Sequence, residues 1–382
     1  MMIEADPLEK LRTRTSEKWS AFPDDVLPLF VAEMDYPLAE PIAEALIAAV
    51  RRSDTGYVGA DDRVQRAFAQ YAGEAWGWRV DPAGIRTTTD VSVVIVESLR
   101  RAIRPGDRVI ITPPVYPPFF ELIPEAGGVV EQVPLLFAEE DGWSLDLPGI
   151  ERAFASGARA FLLCNPHNPV GLVHNPDDLA AVAELAARYD AVVVSDEVHA
   201  PLTHSDATFT PFLSVSDAAK EHGIAAHSGS KAFNITGLKC AVFVTQSDRM
   251  ADLLAPLPAE VQVRTGIFGR IATVAAYRDS RDWLTQALAA IESNRAMLGR
   301  LLERYLPEVR YREPQAGYLA WLDFRELGWG DDPSLLALEK GRVALMAGPH
   351  FGTQGVGFVR LNFACSPSVL TEAVLRLAAV AT

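Results

Sequence analysis

The stretch ARAFLLCNPHNPVG (158–171) decides the fold: a short apolar run stops at Cys164 and enters a turn whose prolines fix φ and whose Gly171 permits backbone angles closed to other residues. DRVIITPP (107–114) has the same form, a strand running into a proline-rich loop. DAVVVSDEVH (190–199) and IAAHSGSKAF (224–233) repeat it, the first ending in acids and the second in a serine-rich segment. Between them, Asn175, Pro176, Asp177 and Asp178 form a helix start, with Leu179, Val182, Ala183 and Leu185 on one face of the helix they open. From about residue 85 to 245 strands and helices therefore alternate, which predicts an α/β fold with a mainly parallel sheet flanked by helices. Ligands of such sheets collect at the carboxyl ends of strands, so the three polar strand ends share one crevice.

Farther out, Leu284, Leu288, Ile291, Leu298 and Leu302 predict a long helix, followed by a strand in GYLAWLDF (317–324). The expected organisation is an N-terminal arm with part of a small domain over 1–45, a large domain over 46–281 and a small α+β domain over 282–382. The formal charge of −15 opposes nucleic acid and anionic membrane surfaces. No apolar run approaches membrane-spanning length, and the N-terminal segment lacks the apolar core of a signal peptide, so a cytoplasmic protein is expected. Cys164, Cys240 and Cys365 are odd in number, far apart and flanked by apolar residues, which predicts buried thiols rather than disulfides or a metal site.

Lys231 in SGSK (228–231) is a candidate amine nucleophile, and Ser228 and Ser230 beside it are hydroxyls of the kind that hold a phosphate; alone, the tetrapeptide reads better as a surface loop. Asp196 is placed to pair with a cationic ring nitrogen or to cap the next helix, and His199 to hydrogen-bond a ligand or water. Asn168 offers an amide from its turn; Tyr116 in PPVYPPF offers a stacking ring or plain core packing. TTTDVSVVIVESLRRAI (87–103) reads as a loop entering a helix whose free N–H groups suit a phosphate. Asp90 opposes that charge unless its carboxylate points away, which leaves the backbone of Val91 and Ser92 as donors. Arg360 in FVRLNF (358–363) is either a carboxylate clamp or an exposed or ion-paired strand arginine.

NPHNPVG, SDEVH and SGSK, in that order and followed by a late RLNF, resemble the fold-type I pyridoxal-phosphate (PLP) enzymes of the class I/II aminotransferase superfamily. VAEMDYP (31–37), TGYVG (55–59) and His199, where many aminotransferases carry tyrosine, look most like the branch of cystathionine β-lyases and cysteine-S-conjugate β-lyases. The resemblance implies a pyridoxal 5′-phosphate cofactor in the large domain, held as a Schiff base by Lys231. It further implies that Asp196 partners the ring nitrogen, Asn168 contacts the phenolic oxygen, Tyr116 stacks on the ring, and Ser228, Ser230 and the Val91–Ser92 backbone take the phosphate. Tyr57 would reach that phosphate from the neighbouring subunit of a homodimer, Arg360 would clamp the substrate carboxylate, and Tyr36 would line the substrate pocket. Lys239 stands where many aminotransferases have a phosphate-binding arginine, and Asp90 where many relatives have glycine. The implied activity is α,β-elimination from L-cystathionine or a related L-cysteine S-conjugate, giving thiol, pyruvate and ammonia. An aminotransferase is the main alternative, and a regulatory protein retaining the fold the other.

Overall fold

The computed structural model describes residues 2–381. Its main sheet has seven strands: β1 (Ile85–Thr88), β2 (Arg108–Ile111), β3 (Val129–Gln132), β4 (Ala160–Cys164), β5 (Val192–Asp196), β6 (Gly223–His227) and β7 (Ala241–Val244). They lie in the order β1-β7-β6-β5-β4-β2-β3, parallel except that β7 runs antiparallel to both its neighbours. The expected mainly parallel architecture is present.

The central strands read as near-continuous apolar runs because both faces of the sheet are covered. Successive side chains alternate between faces: Phe161, Leu163 and Val193 enter one core, while Leu162, Cys164, Val192 and Val194 enter the other. Helix α3 (Pro176–Arg188) covers the first face with Leu179, Val182 and Ala183, and α2 (Val91–Ala102) covers the second with Val94, Ile95 and Leu99. Asn175 caps α3 by accepting the Asp177 N–H at 2.9 Å, so the cap read from the sequence forms as expected. Helix α1 (Glu40–Arg51) packs against α4 (Ile267–Asp279).

The chain then enters the 25-residue helix α5 (Arg281–Tyr305), which buries Leu284, Ile291, Leu298 and Leu302. Beyond it a second sheet forms from β8 (Arg310–Tyr311), β9 (Leu319–Asp323), β10 (Met346–Ala347) and β11 (Phe358–Asn362), in the order β8-β9-β11-β10, backed by α6 (Pro367–Ala381). Near the N-terminus, Leu27 and Pro28 pair in parallel with Val343 and Ala344, so the arm joins this C-terminal part before the main sheet begins. Among the described residues no helix is long and apolar enough to cross a membrane.

Candidate active site

The register of the sheet places three chemical segments side by side. Cys164 pairs with Asp196 and Asp196 with Ala226, so the turn after β4, the end of β5 and the loop after β6 open on one edge. Asn165 N–H bonds to the Asp196 carbonyl, and Glu197 N–H to that of Ala226, each at 2.9 Å. The turn itself is fixed from behind, because a Cβ on Gly171, at φ +66°, would collide with Pro314.

Asp196 is buried, and its carboxylate accepts one hydrogen bond, from the Val198 N–H at 3.2 Å. Burial is the main force on it and pushes its pKa up to about 7, with the nearby Glu197 adding to the rise and Lys231 opposing it. Lys231 is half-buried and donates from Nζ to the Ala32 carbonyl at 3.2 Å. Burial first, and the charge of Arg360 second, draw its pKa down to about 8, so its neutral-amine fraction near physiological pH is far larger than that of an ordinary lysine.

Arg360 departs from one of the two expectations for its strand. It is neither exposed nor ion-paired: it is buried, Nη1 donates to the Asn168 side-chain oxygen at 3.1 Å, Nη2 to the Phe30 carbonyl at 3.0 Å, and Nε has no partner among the described residues. The guanidinium lies 5.1 Å from the Phe351 ring centre, and burial lowers its pKa to about 10. Asn168 thereby connects β4's turn to β11, its own N–H resting on Cys164 Sγ at 3.4 Å.

Tyr116 is half-buried, and its hydroxyl pKa rises through burial first and the Asp196 charge second, with Arg360 opposing. His199 is buried beside the Asn168 turn, lining one small cavity with Asn168 and Gly317, and burial, helped by Lys231 and Arg360, pulls its pKa down to about 3. It is a neutral imidazole.

The expected phosphate end differs in detail. Asp90 caps α2 with its own carboxylate, accepting the Ser92 N–H at 3.0 Å and the Val93 N–H at 3.4 Å as well as the Ser92 hydroxyl. The Ser92 backbone donor is therefore engaged by Asp90 rather than left for a phosphate. Lys239 pairs with the other Asp90 oxygen at 3.2 Å. Ser228 gives its proton to the Cys240 carbonyl at 2.7 Å and accepts the Ser230 N–H at 3.1 Å, so its hydroxyl shapes the loop instead of pointing a donor outward. The Ser230 hydroxyl, half-buried, is uncommitted among the described residues.

Tyr36 is buried in the arm, its hydroxyl without a hydrogen-bond partner among the described residues, and burial first, then the charges of Cys365 and Asp35, push its pKa up. The neighbouring backbone is bolted there, with Asn234 bonding both the Met34 N–H and carbonyl at 2.9 Å. Tyr57 is fully exposed, away from its own chain's crevice.

Two contributors escaped the sequence reading. Tyr318 is buried and donates to the Ala32 carbonyl at 3.0 Å, and Asn362 donates to the carbonyls of Val31 and Glu33 at 2.7 and 2.6 Å. Together with Lys231 and Arg360 they strap residues 30–33 across the crevice. All three cysteines are buried and free.

The sequence matches the aminotransferase class I and II family over residues 24–377. It is 42% identical to a Mycobacterium leprae protein provisionally named a cystathionine beta-lyase, over 98% of this chain and 97% of that one. It is 34% identical to the cystathionine beta-lyase of Corynebacterium glutamicum, over 98% of both chains. Its fold superimposes with a TM-score of 0.94 on a solved Corynebacterium diphtheriae protein provisionally named a PLP-dependent beta-cystathionase, at 35% identity and covering 99% of each chain.

Proposed function

Because the chain belongs to the aminotransferase class I and II family, we propose that it is a PLP-dependent carbon–sulfur β-lyase, cleaving L-cystathionine or related L-cysteine S-conjugates to thiol, pyruvate and ammonia. The observation that carries the reading is the pair of unmet charges in one crevice: Asp196, buried without a cation, and Arg360, buried without an anion. The first suits a protonated pyridine nitrogen and the second an amino acid's α-carboxylate, with the amine of Lys231 at the same edge of the sheet. These residues fit pyridoxal 5′-phosphate, which other structures of this fold hold.

Lys231 would hold the cofactor, with Asp196 as partner of its ring nitrogen, Asn168 of its phenolic oxygen and Tyr116 of its ring face. When bound, PLP acts as an electron sink that weakens the substrate's Cα–H bond. The protein supplies the rest. Arg360 seats the α-carboxylate through parallel N–H donors, orienting the Cα–H bond. Lys231, freed as an amine by the incoming substrate, takes the Cα proton; its depressed pKa suits a base working near neutrality. The electron pair left on Cα expels the sulfur from Cβ as thiolate, which then takes up a proton. The remaining three-carbon enamine is hydrolysed to pyruvate and ammonia. His199, neutral and close to Asn168, donates or accepts a hydrogen bond without adding charge.

Ser230 and the start of α2 around Val91 receive the phosphate, with Lys239 adding charge through its contact with Asp90. Tyr57, exposed on its own chain, completes that subsite in a second copy, making the working unit a homodimer with shared sites. Residues 46–281 form the cofactor-binding domain, with 1–45 and 282–382 closing over it. A cytoplasmic, reducing compartment suits the three free thiols. Release of thiol and pyruvate from L-cystathionine with no keto acid present tests the proposal.

A further inference from the structure

The strap over the crevice carries one acid that the reaction above does not use. Phe30 O accepts from Arg360 at 3.0 Å, Ala32 O from Lys231 at 3.2 Å and Tyr318 at 3.0 Å, and Glu33 O from Asn362 at 2.6 Å and Lys18 at 3.2 Å. The Glu33 backbone is thus pinned one residue from the carbonyl that the Lys231 amine touches. Its side chain is half-buried, and among the described residues its carboxylate has neither a hydrogen bond nor an ion pair.

The other acids nearby are all committed. Asp35 pairs with Lys18 at 2.7 Å and Asp90 with Lys239 at 3.2 Å. Glu197 is locked between His227 and Ser195, each at 2.9 Å, and Asp196 is the ring-nitrogen partner. The Glu33 charge also reaches the crevice, where it raises the pKa values of both Lys231 and Tyr318. One carboxylate without a partner among the described residues therefore stands on the strap, within electrostatic reach of Lys231 and Tyr318 and beside a site whose permanent cation is Arg360.

We propose that Glu33 is a specificity-determining residue that receives a cationic group on the sulfur substituent, so that the site prefers S-conjugates bearing a distal ammonium, as L-cystathionine does. This rests on the lyase reading of the same crevice. The α-carboxylate end is held by Arg360 and the Cα–H end by Lys231; Glu33 reads the leaving-group end. Without it, the strap would offer a distal ammonium no anionic side chain to pair with.

The test compares L-cystathionine with S-(3-carboxypropyl)-L-cysteine, which differs only by lacking the distal ammonium, in wild-type holoenzyme, Glu33→Gln and Glu33→Asp. Each compound is titrated against the holoenzyme's cofactor absorbance for binding, and kcat and KM are read from pyruvate release. Wild type should prefer L-cystathionine by about tenfold or more in both dissociation constant and kcat/KM. E33Q should abolish the preference through KM with kcat nearly kept, and E33D should restore part of it. Equal affinity of the wild type for the two compounds, or an equal loss on both in E33Q, overturns the proposal. Absence of pyruvate from every compound would instead defeat the lyase reading, and the absorbance titration would still decide the role of Glu33.

Discussion

Arg360 Nη1 donates to the Asn168 side-chain oxygen at 3.1 Å, joining a strand of the C-terminal sheet to the turn after β4, 192 residues earlier in the chain. The contact fixes the guanidinium's plane while leaving Nε without a partner among the described residues. Removing the fork should therefore damage substrate capture more than folding. Arg360→Lys keeps the charge but not the bidentate geometry and should lower kcat/KM for L-cystathionine by about 10- to 100-fold, with Arg360→Ala lower still. Steady-state kinetics, with circular dichroism as the check on folding, measure it.

The pKa of about 7 at Asp196 carries a pH signature in the cofactor-free protein. Its folded value lies above the 3.8 of an unstrained aspartate, so the native state binds more protons than the unfolded chain between roughly pH 4 and 7. Stability should consequently fall as pH rises through that window and level off above it. Asp196→Asn should flatten this dependence and be more stable than the wild type at pH 8, by up to a few kcal/mol. Thermal unfolding of cofactor-free protein at a series of pH values reads the difference.

Lys231 has the opposite sign of charge and a pKa lowered to about 8. Its nucleophilic, neutral form is the majority species only above that pH. Covalent capture of PLP by the cofactor-free protein should accelerate as pH rises and plateau above about 8, whereas an unperturbed lysine would keep accelerating toward pH 10.4. Burial is the larger cause and Arg360 the second, so Arg360→Met should move the inflection upward without abolishing it. Stopped-flow absorbance follows the capture.

Away from the crevice, Lys18 and Asp35 form a fully buried pair at 2.7 Å that anchors the arm carrying residues 30–36. Burial raises the Asp35 pKa even with Lys18 beside it. Lys18→Met should leave that carboxylate uncompensated and cost about 3–5 kcal/mol, while the double change Lys18→Met with Asp35→Asn should recover much of the loss. Urea unfolding of the three proteins gives the comparison.

The parts of the site that were legible in the sequence lie within local patterns. Strand period and turn chemistry placed Asn168, Asp196 and Lys231 at three strand ends, and the sheet order makes those ends neighbours. The α2 cap was legible too but went unread: an aspartate just before an apolar helical run commonly gives its carboxylate to its own helix's N–H groups, as Asp90 does to Ser92 and Val93. Other features had no local signal. Tyr318 meets Ala32 across 286 residues and Lys231 meets it across 199, contacts that only the folded chain creates. Whether Ser228 turns its hydroxyl toward Cys240 or toward a ligand likewise depends on where β7 begins.

The central claim is that carbanion formation at this site ends in loss of sulfur rather than in transfer of the amino group. Purified PLP-loaded protein incubated with L-cystathionine and no keto acid decides it. The account predicts many turnovers, with pyruvate and free thiol appearing in equal amounts; a single burst followed by silence, with turnover restored only by an added keto acid, would contradict it.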